Sequence, residues 1–259
     1  MTIDVVWLGF LGSLFAGVLT SVGAAGVFFI RKLSERLEDG LLSFAAGIML
    51  AASFFSLLLP AIEYGEAQLA SKVISILVVI GGFLAGAGVL YYLHRHIPHE
   101  HFLTGHDGPD SKTLKRIWLF IIAIALHNVP EGMAVGAGFA GGDIGNGSSL
   151  AIGIGIQNIP EGMAVAVALI AIGYRRAQCF WVATLTGLVE PLGGLFASYV
   201  VSIAGPLMPV ALAFAAGAML FIISDEIIPE THRRGFENVA TTSLIIGFAC
   251  MMFLDVALG

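Results

Sequence analysis

The sequence predicts an all-α integral membrane protein, with eight transmembrane helices in a 3+2+3 arrangement whose outer triplets are inverted repeats. Three observations carry this: an apolar composition, apolar runs as long as a bilayer is thick, and two short segments that each occur twice. Of the 259 residues, 58% are hydrophobic and 12% charged, and the mean hydropathy is +0.93, outside the range of ordinary soluble domains. The 33 glycines fit helices packed closely through small faces. A net charge of −6 singles out no charged partner, because several acids lie inside the apolar runs. No nucleic-acid partner is expected. Cys179 and Cys250 fall in different apolar runs, so they form neither a disulfide framework nor a thiolate zinc site, and both are expected to be buried.

A helix needs about 20 apolar residues to cross the hydrocarbon core. Eight runs qualify, at about 5–30, 41–62, 73–93, 117–140, 149–173, 178–203, 207–228 and 239–257, forming one transporter-like domain over 1–259. They are read as helices because a bilayer forbids unpaired backbone and the runs are too continuously apolar for barrel strands. The first begins MTIDVVW, with an acid where a signal peptide has a basic region, so it is kept as a span. With the N-terminus outside, eleven of the twelve Lys and Arg fall in inner loops and Lys72 alone outside. That bias places both termini on the extracytoplasmic side and the loop at about 94–116 in the cytoplasm.

The repeats define the architecture. FAAGIML, at 44–50 in the second span, returns as FAAGAML at 214–220 in the seventh, and spans an odd number apart run in opposite directions. HNVPEG in the fourth span and QNIPEG in the fifth are likewise antiparallel. This is the pattern of a transporter built from inverted repeats, with its site at mid-depth in the central pair.

His127 and Glu131 are four residues apart, as are Gln157 and Glu161, so each pair shares one face of its helix. Pro130 and Pro160 free the carbonyls of Leu126 and Ile156 and are expected to widen the helix locally. Gly132 and Gly162 let a neighbouring helix approach. An imidazole, two carboxylates and amide and backbone oxygens suit a divalent transition metal, Zn²⁺ above all, with Cd²⁺, Fe²⁺, Mn²⁺, Co²⁺ or Ni²⁺ allowed by softness and geometry. A carboxylate at mid-membrane costs at least about 2.5–3.5 kcal/mol, which a dication would offset. One motif alone would equally suit a kink with a protonated carboxyl; two antiparallel copies argue for a site.

Other residues have two readings each. Glu190, beside Pro191, is a ligand bridging to a second metal or a kink-associated carboxyl. Met49 is a soft ligand or packing filler. His94, His96, His99 and His101 are a metal-receiving tract at the cytoplasmic mouth or a solvated loop. Asp225 and Glu226 form an exit relay or mark the interface. Asp255, with Glu63 and Glu66, draws cations to the entrance or lies at the membrane surface.

At HNVPEG and NIPEG, in this topology, the sequence resembles the ZIP family of divalent metal transporters, of the bacterial type, over nearly its whole length. The resemblance implies import of Zn²⁺ and related ions, as transported substrate rather than catalytic cofactor, by alternating access across a bacterial inner membrane. It implies two ions per protomer between the second, fourth, fifth and sixth spans, and a homodimer. One ion would be held by Met49, His127, Glu131, Gln157 and Glu161. The other would use Asn128, Asn158 and Glu190, with Glu131 and Glu161 bridging. Many members have histidine where this chain has Gln157, which makes the first site harder. Two alternatives remain: a channel-like pore, and an intramembrane metalloenzyme, although HNVPE lacks the glutamate next to histidine that HExxH proteases use as base.

Overall fold

The computed structural model describes residues 2–30, 34–69, 71–96 and 111–258. The chain forms long helices: α1 (Thr2–Ala24), α2 (Glu35–Ala51), α3 (Leu59–Gln68), α4 (Lys72–His96), α5 (Ser111–Ala140), α6 (Ile144–Ala171), α7 (Arg176–Gly187), α8 (Glu190–Ile203), α9 (Met208–Ile222), α10 (Ile228–Thr231) and α11 (Glu237–Leu258). A π-helical segment, Ala52–Leu58, joins α2 to α3, and another, Ile223–Ile227, joins α9 to α10.

Among the described residues, seven helical rods are long and apolar enough to cross a membrane: Val5–Phe28, Glu35–Gln68, Lys72–Tyr92, Ile144–Ala171, Arg176–Ile203, Gly205–Thr231 and Glu237–Leu258. The 30-residue α5 stands beside them. Their outer faces carry large apolar side chains such as Trp7, Leu84, Phe196 and Phe253, a surface that lipid covers and water would not. The protein is a multi-pass membrane protein.

Turns are set locally. Gly142 and Gly173, with φ of 80° and 90°, follow the ends of α5 and α6, where left-handed backbone excludes most side chains. Asp143 then caps α6 by accepting from Asn146 N at 2.9 Å, and Ser34 caps α2 through Leu37 N.

The helices pair in two groups. In one, α1 lies along α6 and α5 along α8, with α7 against α1 and α6. In the other, α2 lies along α11 and α4 along α9. The two copies of FAAG make equivalent contacts there. A Cβ at Gly47 would collide with the Leu244 carbonyl and one at Gly247 with that of Phe44; Gly217 meets Phe83, and Gly86 meets Phe214, in the same way. The groups meet where α6 packs on α2 and α11, and α5 on α9.

Four expectations change. The sixth run is not one helix: it breaks at Leu188–Val189 into α7 and α8. The prolines of α5 and α6 leave both helices continuous, whereas π geometry occurs in the second and sixth rods, each just ahead of a proline, Pro60 or Pro229. Cys179 is buried, but Cys250 is exposed. Arg234, counted only as a loop charge, is 6% exposed and bonds Glu38 and Glu230 at 3.0 Å each, with Asp39 at 3.4 Å. That cluster ties the start of α2 to the end of α10.

Candidate metal centre

The two Pro-Glu motifs meet where α5 packs on α6, opposite the break between α7 and α8. The break places Glu190 at the first position of α8, where the exposed N–H groups of a helix start favour a carboxylate. Close approach is enforced by Gly132, whose Cβ would collide with the Glu190 carbonyl, and by Gly162, whose Cβ would collide with that of Thr20 on α1.

The buried amides are anchored through their nitrogens. Asn128 Nδ2 donates to the Thr186 carbonyl at 2.9 Å, and Asn158 Nδ2 to the Ala16 carbonyl at 2.9 Å and to Glu190 Oε1 at 2.7 Å. Gln157 Nε2 donates to Glu131 Oε1 at 2.5 Å. The opposite atoms are left over: Asn128 Oδ1, Glu131 Oε2, Gln157 Oε1, Asn158 Oδ1 and Glu190 Oε2 are buried without a hydrogen-bond partner. Each would cost about 1–3 kcal/mol if left that way. The three amide oxygens can only accept, and the two glutamate oxygens accept when ionised, so what the set then lacks is a donor or a cation.

Glu161, partly exposed, is close enough to His127, Glu131 and Glu190 for their charges to interact. His127 Nε2 lies 3.3 Å from Glu226 Oε1 on the second π segment, so an expected exit residue touches an expected ligand. Asp225 beside it is exposed.

Met49 is buried in the main apolar cluster with Ile48, Ile154 and Met219. Among the described residues, no three His, Cys, Asp or Glu side chains are grouped to hold an ion by themselves; the oxygen set depends on amides. At the far end of α11, Asp255 accepts from the Ser56 hydroxyl at 2.5 Å, whereas Glu63 is exposed. His99 and His101 lie outside the described residues, as do the side chains of His94 and His96. Sequence reasoning missed the carbonyls of Ala16 and Thr186, because nothing in apolar stretches of α1 and α7 marks them as acceptors.

A buried, oxygen-rich polar centre at the crossing of two proline-bearing helices is an arrangement suited to a membrane transporter. A family model described as ZIP zinc transporter matches residues 92–255. The chain is 45% identical to zinc transporter ZIPB of Bordetella bronchiseptica, across 96% of this chain and 81% of that protein. It is 43% identical to zinc transporter GufA of Myxococcus xanthus (97% and 99% covered) and 35% identical to human zinc transporter ZIP11 (98% of each). The chain belongs to the ZIP family. That family consists of transporters, so the intramembrane-enzyme reading is set aside.

Proposed function

We propose that this protein carries divalent transition-metal ions, Zn²⁺ foremost, across the membrane through the centre formed by α5, α6 and the start of α8. The observation that carries the reading is the set of five buried oxygens without hydrogen-bond partners, held in place by amide nitrogens bonded elsewhere. Acceptors facing one another repel unless a cation lies among them, and two or three carboxylates supply the compensating charge. The names of the relatives support zinc as the substrate.

In this reading, Glu131 and Glu161 bridge two ions. His127, Gln157 and Met49 complete one coordination shell, and Asn128, Asn158 and Glu190 the other. Carboxamide oxygens in place of imidazole leave room for harder ions beside Zn²⁺ and Cd²⁺. Glu226, with Asp225, takes the ion from His127 on the cytoplasmic side, and Asp255 lies at the entrance. The eight-span 3+2+3 arrangement is supported by the equivalent packing of the two FAAG segments, and the extracytoplasmic termini by the distribution of basic residues. Transport then proceeds by alternating access, one helix group moving against the other, towards the cytoplasm of a bacterial inner membrane.

The test is initial-rate uptake of Zn²⁺ and Cd²⁺ into proteoliposomes by the unmodified protein and by a folded Glu131→Ala/Glu161→Ala variant. Saturable uptake lost in the variant is expected. Equal uptake by both would remove the centre from the pathway, and resolvable unitary currents would make the protein a channel.

A further inference from the structure

Asn146, in the first turn of α6, is 7% exposed, and its Nδ2 donates to the Ser56 carbonyl at 3.1 Å. Ser56 belongs to the π segment of the other helix group and is fully buried. In α-helical register that carbonyl would accept from the N–H of residue 60, which is a proline and has none. The side chain of one group thus bonds a carbonyl in the π segment of the other, close to its proline. The Ser56 hydroxyl meanwhile bonds Asp255, within its own group.

The surroundings make this contact the head of a longer seam. The turn before α6 is seated on the opposite group: a Cβ at Gly141 would collide with the Tyr64 hydroxyl and come within 2.8 Å of Met208 Cε. Along α6, Asn146, Leu150, Gly153 and Gln157 recur four, seven and eleven residues on, so they share one face. A Cβ at Gly153 would collide with Met251 Sδ and come within 3.6 Å of Ile48 Cγ2, both in the opposite group. Gln157 ends this face in the metal centre, about 16 Å from Asn146 at the α-helical rise. The middle of the seam is apolar and non-directional. Its head is held by a buried, directional bond, and both of that bond's partners become hydrated if the helices part there.

We propose that Asn146 and the Ser56 carbonyl form a latch that keeps the α5–α6 end of the bundle closed, and that its release opens the route from that side to the metal centre. The inference rests on the transport reading above, in whose orientation this is the outer end. Asn146 is a positioning residue: it sets which state the seam occupies without touching the ion.

The test uses Met251→Cys in a Cys250→Ser background, in lipid nanodiscs, where a water-soluble maleimide reaches both faces. The thiol lies beneath α6 while the seam is closed. Asn146→Asp and Asn146→Ala both remove the donor, and a carboxylate is favoured in a first helical turn, so the first should fold; should it not, the second carries the test. Labelling three- to tenfold faster than in the Asn146 parent is expected in both. Unchanged labelling in folded variants overturns the latch, even where the parent takes up zinc normally. Faster labelling with no saturable uptake by the parent keeps the latch and overturns the transport reading.

Discussion

Gln157 Nε2 lies 2.5 Å from Glu131 Oε1 and joins the two repeated motifs across the α5–α6 contact. The bond occupies one carboxylate oxygen and leaves Glu131 Oε2 and Gln157 Oε1 free. An imidazole here would replace a weak amide oxygen with a nitrogen better matched to zinc. Gln157→His should therefore bind Zn²⁺ about tenfold more tightly, about 1.4 kcal/mol. Calorimetry checks this, and equal or weaker binding would count against the assignment.

Asn158→Asp keeps the shape of the side chain but removes the donor shared by the Ala16 carbonyl and Glu190. A second carboxylate would then face Glu190 in a buried site. The metal-free variant should lose about 1.5–3 kcal/mol of stability, the range for a hydrogen bond to a charged group. Zinc should restore more stability to the variant than to the parent, because binding acts on the folded state. Thermal unfolding with chelator and with zinc separates the two effects.

Arg234 faces Glu38, Asp39 and Glu230 almost out of contact with solvent. Arg234→Ala strands the fully buried Asp39 beside two partly exposed carboxylates and should destabilise by about 3–5 kcal/mol. Its neighbour Arg233, 39% exposed and paired with Glu230, should lose no more than about 1 kcal/mol on the same change. Parallel melting curves of the two variants test the contrast.

Gly132→Ala forces a methyl against the Glu190 carbonyl, backbone against backbone, and no side chain can yield. Separation of α5 from α8 should abolish zinc-induced stabilisation. Gly88→Ala, with open space around it, should be neutral or add up to about 1 kcal/mol from helix propensity. A thermal shift with added zinc reads both.

Acid should slow uptake. The ligands bind metal only when deprotonated, so loading displaces protons and a falling pH favours the metal-free form. Initial uptake rates across a pH series at fixed zinc should decline toward the acid end; an acid optimum would contradict carboxylate ligation.

The spans and their faces were legible because each rests on a local signal. Apolar runs mark where long helices form, although the run at 41–62 falls six residues short of Glu35–Gln68 at each end, and the i, i+4 spacing of His127 with Glu131 and of Gln157 with Glu161 puts each pair on one face of a helix. The anchoring of the amides was not legible, since it depends on which carbonyls of α1 and α7 come near Asn158 and Asn128, a tertiary fact. The break ahead of Glu190 was hidden because VEPLGG also reads as a kinked continuous helix. Arg234 looked like a solvated loop charge, and only packing brings Glu38 and Asp39, nearly two hundred positions earlier in the chain, against it.

The two π segments bear on how the chain tolerates changes of length. Pro60 lies sixteen residues after Phe44, whereas Pro229 lies fifteen after Phe214, so otherwise matching copies differ by one residue across these stretches. In a regular helix, one residue more or less turns everything beyond it by about 100°, which would swing Tyr64 or Glu230 away from its partners. An overwide turn absorbs such a residue and lets the following helix keep its facing. Single-residue insertions and deletions in this protein should therefore be survivable within 52–58 and 223–227 and ruinous a turn to either side.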